Sequence, residues 1–328
     1  MNVAVVYNED FTKVFSLRNR PARERYERKV VEKIAKVVSS RGHRVEVFDA
    51  NLELCEKLLN FVEECKVDNV IVFNLSYGTQ GESRYSHVPA MLEMLGIMYT
   101  GSGPFGHAIA LDKVSTKLVF KEYGIPTPEF VVISPYQKIP EGLSFPLVVK
   151  PRMEAQSLGV NLVRNYRELE DTLTHVWEEF GQEALVEEFI RGPEYEVSLI
   201  GNGKYIKALP ITGIYLGDDP EAIYSREAKL KYHPEQFCPA AIKGELARRL
   251  VELSIKAFNA LHLRDYARFD LRLGEDGKPY FFEVNSMASL NPSGSFFCAA
   301  KAAGLSYDQL IFKILHSSLR RYGVDVRL

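Results

Sequence analysis

Cysteine is scarce in this chain. The four it has, Cys55, Cys65, Cys238 and Cys298, are scattered through 328 residues, without the close spacing of a zinc site or of a small disulfide framework. They read as buried thiols in a reducing compartment. An excess of either charge is also missing. Forty-one basic residues against 43 acidic ones leave a net charge of −2, so composition gives no reason to expect nucleic acid or an anionic membrane as partner. No apolar run approaches membrane-spanning length, and the opening Met-Asn-Val-Ala-Val-Val-Tyr lacks the basic region and long apolar stretch of a signal peptide. The expectation is a cytoplasmic enzyme or binding protein. Hydrophobic residues at 46% and charged ones at 26% fit a globular protein, and the length leaves room for two or three domains with their own cores.

What the chain does have is concentrated between Arg264 and Asn285. Read at a period of two, Arg268 and Asp270 share one face of a strand, and Phe269, Leu271 and Leu273 share the other. Gly274-Glu-Asp-Gly supplies a turn, and Tyr280 to Asn285 is a second strand, so the unit predicts a hairpin. With Leu273 facing Tyr280, Asp270 falls opposite Glu283, and Asn285 shares their face. Two carboxylates and an amide oxygen on adjacent strands suit Mg²⁺, whose remaining ligands are typically phosphate oxygens and water. Arg268 beside them is a cation for a phosphate or a developing oxyanion. The plainer reading is a hairpin with solvated charges on its open face.

From the N-terminus, strands at 3–7, 44–48 and 69–74 alternate with helices at 23–40 and 52–64, which predicts a parallel α/β sheet with its ligand site beyond the strands' carboxyl ends. The Gly-rich loop 75–85 leaves such an end and carries Glu82 and Arg84. Residues 104–123 read as one long helix closed by Gly124-Ile-Pro-Thr-Pro, with a domain boundary near Gly101 to Gly106. Phe145-Pro-Leu-Val-Val-Lys-Pro is an apolar strand that delivers Lys150 into a site, where a buried ammonium needs an anion such as a phosphate. A helix at 166–180 ends at Gly181. Strands at 197–200 and 204–211 pair across Gly201-Asn-Gly, a long polar loop runs from 212 to 226, and a helix at 247–261 leads into the hairpin. Helices at 299–304 and 307–322 close the chain.

Arg-Phe-Asp, a Gly-containing turn and Pro-Tyr-Phe-Phe-Glu-Val-Asn together resemble the metal-binding signature of the D-alanine:D-alanine ligase family of the ATP-grasp superfamily. Asp112-Lys113, Phe145 to Pro151, Ala184 to Val197, Tyr224 to Tyr232, and Phe237-Cys-Pro-Ala resemble the same family in the same order. The resemblance implies an N-terminal Rossmann-like parallel sheet domain (1–103), followed by α+β domains at 104–190 and 191–328 that clasp ATP. It implies that Lys113, Lys150 and Ser157 meet phosphates, that Glu187 and the backbone of Glu188, Phe189 and Ile190 face adenine, and that Glu194 takes the ribose. By the same likeness Lys229 meets the γ-phosphate. Asp270, Glu283 and Asn285 hold Mg²⁺, two ions, with Mn²⁺ as an alternative. Arg268 and the amide of Ser289 stabilise the oxyanion. The substrate end falls to Glu82, Gln156, Arg268, Ser293 and Ser295, with Glu9 or Asp10 standing in for the family's N-terminal Ser-Ala-Glu-Arg-Glu segment.

The chain also departs from the family. Its usual Gly-Ser-Ser run is Ala155-Gln156-Ser157, lysine gives way to Glu188, Leu230 replaces a tyrosine, and Ser289 replaces a glycine. The implied reaction is ATP-dependent joining of a carboxylate to an amine through an acyl phosphate, giving a dipeptide, ADP and phosphate, with a place in peptidoglycan biosynthesis and a homodimeric assembly. Other amino acids, or another acid and amine, are the alternative within enzymes. A non-catalytic nucleotide-binding regulator is the alternative outside them.

Overall fold

The computed structural model of the chain describes residues 1–10, 14–15, 23–223 and 234–324. The first sheet is parallel, with β1 (Asn2–Tyr7), β2 (Arg44–Asp49), β3 (Val70–Asn74) and β4 (Met98–Tyr99) in the order β2-β1-β3-β4. Both faces of its central strands are covered, which is why Val3-Ala-Val-Val reads as unbroken apolar sequence. Val3, Val5, Ile71 and Phe73 pack toward α1 (Arg28–Ser39), while Ala4, Val6, Val70 and Val72 pack toward α2 (Leu54–Cys65) and α3 (His87–Leu95). The α1 helix starts five residues later than its periodicity predicts. Glu24 and Tyr26 are buried instead in an extended lead-in, where Arg84 binds the first and the Ala288 carbonyl and Leu290 amide bind the second.

Residues 104–123 form two helices rather than one, α4 (Pro104–Leu111) and α5 (Lys113–Glu122). The break lies at Asp112, whose extended backbone frees its carboxylate to accept from the Val114 amide and cap α5. Both Asp112 oxygens also accept from Arg152, at 2.7 and 2.6 Å. The second sheet is antiparallel, β5 (Phe130–Ile133), β6 (Leu147–Pro151), β7 (Asn161–Val163) and β8 (Ala184–Glu188), in the order β5-β8-β6-β7. It is backed by α6 (Tyr166–Phe180), whose Leu169, Leu173 and Val176 meet Val149 and Val186.

The third sheet runs β12-β11-β9-β13-β14, from β9 (Glu194–Ile200), β11 (Thr212–Tyr215), β12 (Glu235–Phe237), β13 (Tyr266–Leu273) and β14 (Pro279–Asn285), with β10 (Lys207–Ala208) pairing on β9. The long loop expected from 212 is thus a strand at its start, because Thr212-Gly-Ile-Tyr pairs with Glu194 to Glu196. Of the 204–211 strand, two residues form β10 after a short 3₁₀ turn. Helix α7 (Gly244–Ala260) sets Leu250, Ala257 and Phe258 against Val197, Phe269 and Leu271. The four cysteines are free and half-buried rather than buried; Cys55 and Cys65 lie at the two ends of α2.

The chain then returns to where it began. After α8 (Ser295–Ala302), α9 (Tyr307–Arg321) lays Leu310, Ile311, Ile314, Leu315 and Leu319 into the core that holds Val3, Val5 and α1. Each such side chain contributes roughly 1.5–3 kcal/mol on burial. At the same seam the Asp265 carboxylate is fully buried and accepts from the Gly101 amide (2.8 Å), Asn202 (2.7 Å), Ser318 (2.7 Å) and Arg321 (3.0 Å).

His107 on α4 is likewise fully buried, its Nδ1 sharing a hydrogen bond with the Ser286 hydroxyl at 2.8 Å. Burial pushes its pKa down to about 3 from 6.5. Acid between those values protonates the unfolded chain first, so stability is complete above pH 6.5 and falls as pH drops toward 3. Replacing the ring by an amide that keeps the hydrogen bond, His107→Asn, is expected to flatten that acid limb. Urea midpoints of both chains across the window check it.

Candidate active site

A cavity of about 540 Å³ lies where the second and third sheets face each other, with residues 25–27 and two tyrosines of the first unit closing one end. Its floor is the β13–β14 hairpin. Leu273 pairs with Pro279 rather than Tyr280, and Leu271 with Phe281, after which the register shifts by one and Asp270 falls opposite Glu283, Phe269 opposite Val284, and Arg268 opposite Asn285. The extra residue of this bulge is Phe282, which lines the cavity and lies under Lys150, its ring centroid 5.6 Å from the ammonium.

Asp270 anchors the hairpin face. Arg268 grips it with two nitrogens, at 2.7 and 2.8 Å, the Asn285 amide donates to it at 2.9 Å, and Arg268 also donates to the Ser295 hydroxyl at 3.2 Å. Behind Arg268, at 3.4 Å, is Glu196 on β9, in register with Asp270. Burial pushes its carboxyl up to about 7 against the pull of Arg268. The sequence reading passed over Glu196, although its position two residues after Glu194 puts both on one face of β9. Glu283 stands 3.4 Å from Lys113, whose ammonium also donates to the Glu154 carbonyl.

On the opposite wall, and just behind it, two lysines share one carboxylate. Glu187 on β8 is held between Lys150 (2.5 Å) and Lys117 (2.7 Å), and Lys117 also donates to Thr127 at 2.7 Å. Lys117 is fully buried, and burial pushes its ammonium down to about 8 despite Glu187. It too was missed. Lying four residues after Lys113 on α5, it shares that residue's helix face.

Glu188, Phe189 and Ile190 line the cavity edge, where the Ile190 carbonyl accepts from Arg272 at 3.1 Å. The same buried guanidinium lies 3.3 Å from Glu194 and donates to the Ala222 carbonyl at 2.6 Å, so it ties the segment Glu188–Ile190 to the loop that holds Ala222. Gln156 and Ser157 line the cavity from left-handed backbone positions, φ 56° and 58°.

Ser289 lines the cavity, and Ser295 reaches the site through Arg268. Glu82 and Ser293 are exposed and stand outside the cavity lining. Glu9 pairs with Arg28 at the surface, and residues 25–27 of the lead-in to α1 line the cavity. Lys229 and Leu230 lie outside the described residues.

Among the described residues no three His, Cys, Asp or Glu side chains gather closely enough to hold a metal by themselves. Asp270, Glu283 and Asn285 instead supply a short set of hard oxygens on one cavity wall, which fits Mg²⁺ completed by phosphate and water. Lys113 and Lys150 on the same cavity fit the phosphates.

The family model described as D-ala D-ala ligase C-terminus matches residues 119–316. An uncharacterised protein of Sinorhizobium fredii, y4sG, is 37% identical over 98% of both chains. D-alanine–D-alanine ligase B of Chromobacterium violaceum is 33% identical over 86% of this chain and 89% of its own. In fold, the chain is similar to the crystal structure of D-alanine–D-alanine ligase from Bacillus anthracis complexed with ATP, with a TM-score of 0.77 at 24% identity over 98% and 99% of the two chains. Among the described residues no helix is long and apolar enough to cross a membrane. Architecture, signature hairpin and matched sequence agree, and the chain belongs to the D-alanine–D-alanine ligase family, with the ATP-grasp fold.

Proposed function

We propose that this protein is an ATP-dependent ligase that joins the carboxylate of one amino acid to the amine of another, with D-alanine as the first candidate for both. The observation that carries the reading is that Lys113, Lys150, Arg268, Asp270, Glu283 and Asn285, drawn from four separate elements, line one cavity. ATP with its divalent ions supplies the phosphoryl group that turns the acid into an acyl phosphate open to the amine. Lys113 and Lys150 offset the repulsion between carboxylate and triphosphate. Arg268, held in place by Asp270, keeps its charge beside the carbon under attack, a contribution of a few kcal/mol in comparable sites. The walls of the cavity keep water from the acyl phosphate. In this reading the chain works in the cytoplasm as a homodimer, and light scattering on the purified protein is expected to give twice the chain mass.

A second reading keeps the reaction and changes the amino acids. Gln156 faces the cavity where the family has serine, and the amino-acid end is walled by Tyr26, Tyr77 and Tyr85, with ring centroids 5.4 Å apart in the first pair and 5.3 Å in the second. Product masses from the purified chain, supplied with ATP, Mg²⁺ and panels of D- and L-amino acids, separate the two. D-alanyl-D-alanine supports the first reading, and turnover of another pair without D-alanine supports the second. ATP binding with no ADP release for any pair rejects both in favour of a nucleotide-binding regulator.

Asp270→Asn removes a hard ligand and half of the Arg268 grip together. ADP release with the accepted substrates is expected to fall about a hundredfold or more, measured at a temperature where circular dichroism shows the variant folded, because the buried Arg268 loses its anionic partner. Unchanged turnover would remove Asp270 from the chemistry.

A further inference from the structure

The ligase reading gives no part to a buried ion pair behind the cavity wall. Glu24, in the lead-in to α1, is fully buried, and Arg84, in the short 3₁₀ turn Arg84–Ser86, is 3% exposed. Arg84 meets the Glu24 carboxylate with two nitrogens, at 2.5 and 3.3 Å. Its third nitrogen, Nη1, donates to the Met153 carbonyl at 2.9 Å, and the Glu154 carboxylate is 3.6 Å from Nη2. The turn reaches this position because the loop before it doubles back. At Gly78 a Cβ would lie 1.8 Å from the Arg84 carbonyl oxygen, and φ there is +75°.

A buried pair of this kind is weak as a source of stability, since an apolar replacement is often as stable. Its distinguishing property is where its third bond goes. The other polar anchors of the loop 152–158 come from the middle of the chain: Asp112 and Glu183 on Arg152, Gln182 on the Met153 amide and the Glu154 side chain, and Lys113 on the Glu154 carbonyl, while the Met153 and Ala155 side chains pack against the core that holds β1 and α1. Arg84 arrives from the N-terminal unit. Its partner Glu24 directly precedes Arg25, Tyr26 and Glu27, which line the amino-acid end of the cavity, while Gln156 and Ser157 follow Met153 on the loop.

We propose that Arg84 is a positioning residue: paired with Glu24, it fastens the loop 152–158 to the N-terminal unit, so that the loop lies over the cavity only while the amino-acid end is in place. The proposal rests on the ligase reading for the loop's purpose, though not for its attachment. Because Arg84→Met alone strands a buried Glu24, the double variant Glu24→Gln/Arg84→Met removes both charges together, and Arg84→Lys keeps a charge for Glu24 while losing the bond to Met153.

Hydrogen exchange in the nucleotide-free chain is expected to quicken about tenfold at residues 153–158 in both variants, with β1 and β3 unchanged, as befits loss of a charge-assisted hydrogen bond. With ATP and an accepted substrate pair, KM for ATP is expected to rise about tenfold while kcat at saturation changes less than about twofold. Loop exchange and KM like those of the parent overturn the proposal, as does exchange that quickens equally throughout the N-terminal sheet. A parent chain without ligase turnover sinks the ligase reading and leaves the attachment to be judged by exchange.

Discussion

Asp270 is asked to do two things at once, and the arrangement of the third sheet follows from that. Its carboxylate must hold Arg268 flat and also face the place where a cation would sit, so it needs partners on both flanking strands. The β13–β14 pairing supplies Asn285 and Glu283, and β9 supplies Glu196 behind the guanidinium. Phe269 and Leu271, pointing the other way, fix the strand on α7 so that the polar face cannot rotate. The one-residue bulge is what reconciles the turn with this demand, and its product is an aromatic ring placed beneath the Lys150 ammonium.

Across the cavity one anion is shared. Two buried lysines share the single carboxylate of Glu187, and a third ammonium, Lys113, is close to Glu283 at 3.4 Å. A buried ammonium is costly without an anion beside it. Glu187 is therefore the counterion that lets Lys150 and Lys117 stand together. Its position on β8 then joins this ion cluster to the segment Glu188–Ile190 that borders the same cavity.

Much of this could be read along the chain. The period of two in Arg268-Phe-Asp-Leu and Phe281 to Asn285 gave the polar face, and the opposition of Asp270 to Glu283 emerges from the structure although the turn-end register differs by a residue. Lys150 followed by Pro151, and Gly181 after an amphipathic helix, are local signals that survive folding unchanged. What could not be read was held by partners distant in sequence. Asp112 breaks a helix because Arg152 claims both its oxygens; Glu24 leaves the helical pattern because Arg84 claims it. Glu196, Lys117 and Arg272 look like ordinary charges until the neighbouring strand or helix is known, since periodicity assigns a face and not its occupants. Exposed Glu82 shows the converse: a charge in a Gly-rich loop after a strand is a reasonable substrate contact, yet its neighbour Arg84 is the one turned inward.

The return of α9 to the first sheet has a consequence for how the molecule is made. Domains generally fold as units while the chain emerges, the earliest first. Here Val3, Val5 and α1 are completed by Leu310 to Leu319, and the Gly101 amide waits for Asp265 and the Ser318 and Arg321 that surround it. On the ribosome the N-terminal third therefore keeps an apolar flank open until residues 310–319 have been made and have emerged.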